Sequence, residues 1–135
     1  MRNIKKAIAY TLVATSIFII AGCYKATTLY PNPDDVTLVN KEVSLINDII
    51  PVFSQNCAIS GCHISGGTSP DLTASKAYNS LVNGGYVNIA DPKNSKVFLR
   101  LTGKIAPAMP LNSANNPSNI NALVLTWITQ QAKNN

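Results

Sequence analysis

The C-terminal part of the chain has the most regular pattern of apolar and polar positions. Between positions 120 and 128, apolar side chains recur at intervals of three and four residues, as one face of an α-helix requires. They are Ile120, Leu123, Val124, Trp127 and Ile128. Asn116 can cap this helix, and Pro117 suits its first turn because proline has no N–H to bond. The pattern predicts a helix over about residues 118–131.

Shorter apolar clusters predict three further helices. Asp48 is placed to cap the first, which carries Pro51 in its opening turn. The second is expected over residues 73–82 and is ended by Asn83-Gly84-Gly85, and the third is expected over residues 95–101. Signals for strands are weak throughout. The pattern therefore predicts an all-α domain.

The first 22 residues have the composition of an export signal. Three basic side chains precede an apolar run of fourteen residues, 7–20, which is shorter than the about twenty residues that span a bilayer. The run ends in Ile20-Ala21-Gly22-Cys23, which resembles the lipobox of bacterial lipoproteins. The resemblance implies that residues 1–22 are removed and that Cys23 is lipidated. An ordinary secretory signal and an uncleaved anchor are the alternatives, and all three place the remainder outside the cytoplasm.

The remainder divides into a tether and one domain. Residues 23–42 contain Pro31 and Pro33 and have no sustained apolar period, so we expect a flexible tether there. Residues 43–135 are long enough for one folded domain. The predicted protein is lipid-anchored to a bacterial membrane and faces the periplasm or the cell surface.

The most informative stretch for chemistry is Cys57-Ala58-Ile59-Ser60-Gly61-Cys62-His63, which contains the single histidine of the chain. Covalent haem attachment requires this order, because each thiol adds to a porphyrin vinyl group and the adjacent imidazole reaches the iron. The usual motif has two residues between its cysteines, and this one has four. If Cys23 carries lipid, the other two cysteines are left for thioether bonds to haem or for a disulfide.

Residues 23–135 contain a single methionine, Met109, in the sequence Ile105-Ala106-Pro107-Ala108-Met109-Pro110. Prolines on both sides stiffen the loop. A methionine opposite histidine on a haem iron raises the reduction potential. The alternative is that Met109 fills a gap in the core. Met109 is the candidate distal ligand, and His63 is the candidate proximal one.

With these elements in place, residues from about 47 to 132 resemble a class I c-type cytochrome, a small monohaem domain. Such domains have an N-terminal helix before the attachment motif, a methionine loop and a C-terminal helix that packs across the first. The resemblance implies one haem c bonded to Cys57 and Cys62, with His63 and Met109 as axial ligands. It also implies a cytochrome c-like fold, Trp127 packed near the porphyrin or against the first helix, and electron transfer without catalysis.

Other uses of the same residues remain open. A disulfide between Cys57 and Cys62 would make the chain an exported binding module without haem. Structural zinc sites use four ligands, and the chain has only two thiols and one imidazole to offer. A thioredoxin-like site would need a shorter gap and a βαβ unit. A haem subunit of a larger redox enzyme is a further alternative, although no other catalytic motif is present.

The net charge of the chain limits the classes of binding partner that the sequence suggests. The chain has 11 Lys and Arg and 6 Asp and Glu; three of the basic residues precede Cys23, which leaves a net charge of +2. This value gives no electrostatic argument for nucleic-acid binding. Four basic residues cluster in the sequence, either as a solvated helix face or as a docking patch for an acidic redox protein; they are Lys93, Lys96, Arg100 and Lys104. We expect redox proteins and a membrane as partners of a monomer or of a subunit in a redox complex.

Overall fold

The regular secondary structure is helical. A computed structural model describes residues 36–111 and 119–135, and no strand occurs within them. In chain order the helical segments are a π-helical turn (Leu45–Ile49), α1 (Ile50–Asn56), α2 (Ala77–Val82), a 3-10 turn (Pro92–Asn94), α3 (Lys96–Leu101) and α4 (Ile120–Thr129). The prediction of an all-α chain is confirmed for this part. None of these helices has both the length and the apolar character to cross a bilayer.

The first helical segment begins at Leu45, earlier than predicted. Ser44 Oγ caps it by accepting the Asn47 N–H at 3.0 Å, and the Asp48 carboxylate accepts the Ser44 N–H at 2.9 Å. The prediction that Asp48 is the cap is therefore wrong, because Asp48 supplies the return bond of a cap that lies four residues earlier. Pro51 does lie in the first turn of α1.

The second predicted helix is shorter in the structure, and the third agrees closely. The Asp71 carboxylate accepts hydrogen bonds from the N–H and the hydroxyl of Thr73, at 3.0 and 2.6 Å. Such local side-chain bonds compete with helix formation, so α2 begins only at Ala77. The predicted helix over 95–101 corresponds to α3, with Ser95 at its N-cap.

α4 bears out the C-terminal apolar stripe. It begins after Asn119, whose φ is +65°, and it is shorter than the predicted range 118–131. The cap predicted at Asn116 and the first-turn proline at Pro117 lie outside the described residues.

The core lies where α4 meets the first helical segment. α4 contacts the π-helical turn and α3. Trp127 of α4 is buried and belongs to one apolar cluster with Leu45 and Ile49, and its indole N–H donates to the Lys133 carbonyl at 2.8 Å. Of the two positions expected for Trp127, the structure has the one against the first helical segment.

The segment that precedes the first helical segment is hydrogen-bonded to side chains in α4 and just after its end. The Val39 N–H donates to Thr126 Oγ1 at 2.8 Å, and the Val43 N–H donates to the Gln130 side-chain oxygen at 2.9 Å. The Gln130 amide also donates to the Lys41 carbonyl at 2.9 Å. The segment predicted as a tether therefore meets the helical unit at position 39. Its earlier part, which includes Cys23, lies outside the described residues.

Candidate functional site

A cavity of about 320 Å³ opens between α1, α3 and two loops, residues 57–70 and 107–111. Its volume lies within the range of about 300–1,000 Å³ typical of small-molecule sites. Cys57, Cys62, His63 and Met109 all line it. The fold thus brings into one cavity the four side chains that the sequence suggests for a cofactor.

A tight turn takes up the long gap between the cysteines. The Cys57 N–H donates to the Phe53 carbonyl at the end of α1, and the Cys62 N–H donates to the Ile59 carbonyl at 2.9 Å. Gly61 makes this turn possible with a φ of +80°. The His63 N–H then donates to the Cys57 carbonyl at 3.1 Å. The four intervening residues therefore form a loop that returns the His63 backbone to the first cysteine.

Both cysteines of this turn are free thiols and half-buried. Burial raises the pKa of Cys57 to about 11, and the neighbouring Cys62 adds to the shift. Cys57 is therefore a neutral thiol at physiological pH. Because both thiols line the same cavity, the pair is suited to two thioether bonds with one ligand or to a disulfide.

Two backbone carbonyls orient the His63 imidazole. Its Nδ1 lies 3.0 Å from the Thr68 carbonyl oxygen and 2.9 Å from that of Pro70. Carbonyl oxygens only accept hydrogen bonds, so Nδ1 carries the proton and Nε2 keeps its lone pair. An imidazole held in this tautomer can bind a metal through Nε2.

The loop that carries these carbonyls is held by a side-chain network. Ser65 Oγ donates to the Asp71 carboxylate at 2.7 Å, opposite the two bonds from Thr73. Hydrogen bonds from Thr73 and then Ser65 hold the pKa of Asp71 below its ordinary value. The Leu72 N–H donates to the His63 carbonyl at 2.8 Å. These hydrogen bonds hold the backbone of the loop, and the Thr68 and Pro70 carbonyls of that backbone orient the His63 imidazole.

Met109 reaches the cavity from the opposite loop. It is half-buried, and its N–H donates to the Arg100 carbonyl at 2.9 Å. The Arg100 guanidinium donates to the Pro107 carbonyl at 3.0 Å. The end of α3 therefore holds the backbone around the methionine.

The rest of the cavity has apolar walls and a cationic edge. The apolar walls include Phe53, Leu72, Val97 and Leu101. Lys96 and Arg100, one helical turn apart on α3, also line it, and the Lys96 ammonium lies 5.2 Å from the centroid of the Tyr86 ring. No carboxylate occurs among the described residues that line the cavity. The lining therefore suits a mainly apolar ligand that carries acidic groups at one edge.

Several residues of this site were not foreseen from the sequence as site residues. The carbonyls of Thr68 and Pro70 and the carboxylate of Asp71 belong to a loop whose composition predicts only a turn. Lys96 and Arg100 belong to the basic cluster noted in the sequence, whereas Lys104 is exposed and does not line the cavity. Only the spacing of four between Lys96 and Arg100, one turn of a helix, could have paired them.

No side-chain cluster of the kind that binds a free metal ion is present in the described ranges. There, no three His, Cys, Asp or Glu side chains lie together so as to hold one. A haem iron makes a different demand, because the porphyrin supplies its equatorial ligands and the protein only the axial ones. His63 and Met109 supply one imidazole and one thioether to the same cavity from two different loops.

No family model, no curated protein and no solved structure matches this chain. The arrangement of its own residues therefore carries the functional argument.

Proposed function

We propose that this chain is a monohaem c-type cytochrome that transfers single electrons. The observation that supports it best is the lining of one cavity by two thiols, an imidazole with a free Nε2 and a thioether. Cys57 and Cys62 would bond covalently to haem c, and His63 and Met109 would ligate its iron. The same proposal includes a class I cytochrome c fold for the described helices.

The remaining lining fits haem chemically. Haem has an apolar macrocycle with two carboxylates at one edge, and the cavity combines apolar walls with Lys96 and Arg100 at its margin. The bound haem supplies the one-electron chemistry. The apolar walls would keep water from it and Lys96 and Arg100 would offset its negative charge, while the Thr68 and Pro70 carbonyls would hold the His63 ring so that Nε2 stays available as a ligand.

Electron transfer is the role expected from His63 and Met109 as the proposed pair of iron ligands. If His63 and Met109 both held the iron, the haem would supply one-electron transfer and would offer no open site to a substrate. The domain would then pass electrons between other redox proteins, as a free carrier or as the haem subunit of a larger redox enzyme.

We also propose that the domain is exported and lipid-anchored through Cys23. The support is the fourteen-residue apolar run that ends in Ile20-Ala21-Gly22-Cys23. The partners would be the membrane and redox proteins outside the cytoplasm. Wild-type cells should incorporate labelled fatty acid into the protein and Cys23→Ser cells should not; label in the variant would contradict the assignment.

The haem proposal is tested by expressing the full chain in a bacterial host that matures c-type cytochromes. The denatured chain should have the mass of the polypeptide plus one haem, and its pyridine haemochrome spectrum should be that of haem c. Cys57→Ala with Cys62→Ala should abolish covalent attachment, whereas Cys23→Ser should not. A colourless wild-type chain in that host would overturn the proposal.

A disulfide-stapled exported binding module is the second candidate. It is favoured by the position of both free thiols in the lining of one cavity, on either side of a tight turn. In that case the same mass measurement would find no haem, and thiol labelling would find Cys57 and Cys62 blocked until a reductant is added.

A further inference from the structure

We propose that Arg100 is the positioning residue for the Met109 loop, an inference that rests on the proposed ligation of haem by Met109. Arg100 lies in the last turn of α3, is half-buried and lines the cavity. It makes two hydrogen bonds of opposite direction to the loop. Its carbonyl accepts the Met109 N–H at 2.9 Å, and its guanidinium donates to the Pro107 carbonyl at 3.0 Å.

These two hydrogen bonds matter because the loop contains few other backbone hydrogen-bond donors. Pro107 and Pro110 have no N–H, so the four residues 107–110 contain only two backbone donors, those of Ala108 and Met109. Arg100 takes one of them and also binds the carbonyl two residues before the methionine. One residue thus fixes the backbone at Met109 and at the residue where the loop enters the cavity wall.

A fixed backbone is needed because a methionine side chain has three rotatable bonds and adapts easily. A ligand held by protein must stay within about 0.5 Å of its working geometry to bind well. In a haem-loaded chain, a looser loop would hold the Met109 sulfur less firmly, so an outside ligand would compete better. Apparent affinity for that ligand then rises in proportion to the open fraction.

Two variants distinguish a positioning role of Arg100 from a role of its charge alone. Arg100→Lys keeps the positive charge at the cavity edge but loses the planar guanidinium that reaches the Pro107 carbonyl. Arg100→Gln loses both. Lys104→Gln removes the same charge from an exposed side chain that does not line the cavity, so it is the matched control.

The first readout is hydrogen exchange at the Met109 amide in the full chain, because it does not depend on haem. Exchange should be roughly tenfold faster in Arg100→Gln and Arg100→Lys than in Lys104→Gln, the size expected when a hydrogen bond to a charged group is lost. Circular dichroism establishes that the variants are folded. Equal exchange in all of these proteins would overturn the inference.

The second readout is carbon monoxide binding to the reduced haem protein. Both Arg100 variants should bind carbon monoxide with roughly tenfold higher apparent affinity than wild type and Lys104→Gln. If Arg100→Lys behaves as wild type and only Arg100→Gln differs, Arg100 acts through its charge and the positioning role is wrong. If wild type carries no haem, the proposed function fails, while amide exchange still decides whether Arg100 holds the loop.

Discussion

His63 and Met109 are held in the cavity by different means. The His63 ring is oriented through its own side-chain nitrogen, which lies within 3.0 Å of two backbone carbonyls. Met109 is positioned through its backbone N–H, which donates to Arg100. The imidazole is therefore set in direction before any ligand arrives, whereas the thioether keeps the rotational freedom of its side chain.

Replacing Met109 tests its assignment as the distal ligand. A haem-loaded Met109→Ala chain would lack the proposed sulfur ligand, so the reduced protein should bind carbon monoxide readily and the midpoint potential should fall by on the order of 0.1 V, within the ~0.8 V range that axial ligands command. Leu111→Ala is the control, because Leu111 also lines the cavity but has no ligating atom. An unchanged potential in Met109→Ala would mean that another group ligates the iron.

Among the structural elements, the turn between the cysteines depends on one glycine. Gly61 has a φ of +80°, and Gly66 in the following loop has a φ of +79°; a Cβ at either would meet no neighbour within 4 Å. An L side chain at such a φ costs roughly 1–2 kcal/mol. The two glycines are therefore similar in strain, but only Gly61 lies between the cysteines and lines the cavity.

Alanine at each glycine separates strain from function. Gly61→Ala and Gly66→Ala should lower the free energy of unfolding by similar amounts, about 1 kcal/mol. Gly61→Ala should in addition lower the fraction of purified chains that carry haem, as measured by the ratio of haem to protein absorbance. Equal haem content in the two variants would show that the turn geometry does not control attachment.

The cap of the first helical segment makes the fold sensitive to acid. A hydrogen bond from Lys41 and one from the Ser44 N–H hold the pKa of Asp48 below its ordinary value. A carboxyl group whose pKa is lowered by folding stabilises the fold above its unfolded pKa of about 4, and this contribution is lost as the pH falls through the lower folded value.

Asp48→Asn should therefore lower the melting temperature at pH 7 by a few degrees, because the neutral amide loses the ion pair with Lys41 and accepts the Ser44 N–H more weakly. The difference between wild type and variant should shrink as the pH falls from about 4 toward about 2, because wild-type Asp48 becomes protonated there. Thermal melts across this range measure it. Parallel loss of stability in the two proteins would contradict the role given to Asp48.

For the molecule as a whole, the cavity borders the buried core, so a ligand bound there would stabilise the fold. The cavity of about 320 Å³ is lined by Phe53 of α1 and Leu101 of α3, among others. Both of these residues also belong to the buried apolar cluster. A small domain of this size has a modest core. A ligand that binds only the folded state stabilises that state by mass action.

We expect the haem-loaded chain to melt at a temperature roughly 20 °C above that of the same chain made without haem, from several kcal/mol of ligand stabilisation spread over a small domain. Scanning calorimetry of the two forms measures the difference. Equal midpoints would mean that haem does not complete the core.

Local pattern predicted much of the helical structure. The apolar stripe of α4 and the cluster of α3 were identified because burial of one helix face repeats at short intervals along the chain. The start of α2 and the cap at Asp48 were mispredicted, because Asp71 and Ser44 make local hydrogen bonds that compete with or replace the expected ones. Such competition between polar side chains is decided by geometry that residue type does not carry.

The amino-acid sequence determined the all-α class and the chemistry available to this protein, because helical periodicity and the adjacency of Cys62 and His63 are short-range properties. Only the tertiary structure decided that Met109 shares their cavity, that carbonyls of Thr68 and Pro70 set the imidazole tautomer, and that Arg100 holds the facing loop. The hydrogen bonds to the imidazole and to the Met109 loop span only five to nine residues, but residue type does not specify their partners. The cavity itself combines residues of α1, α3 and two loops, and no short window of the chain contains them all.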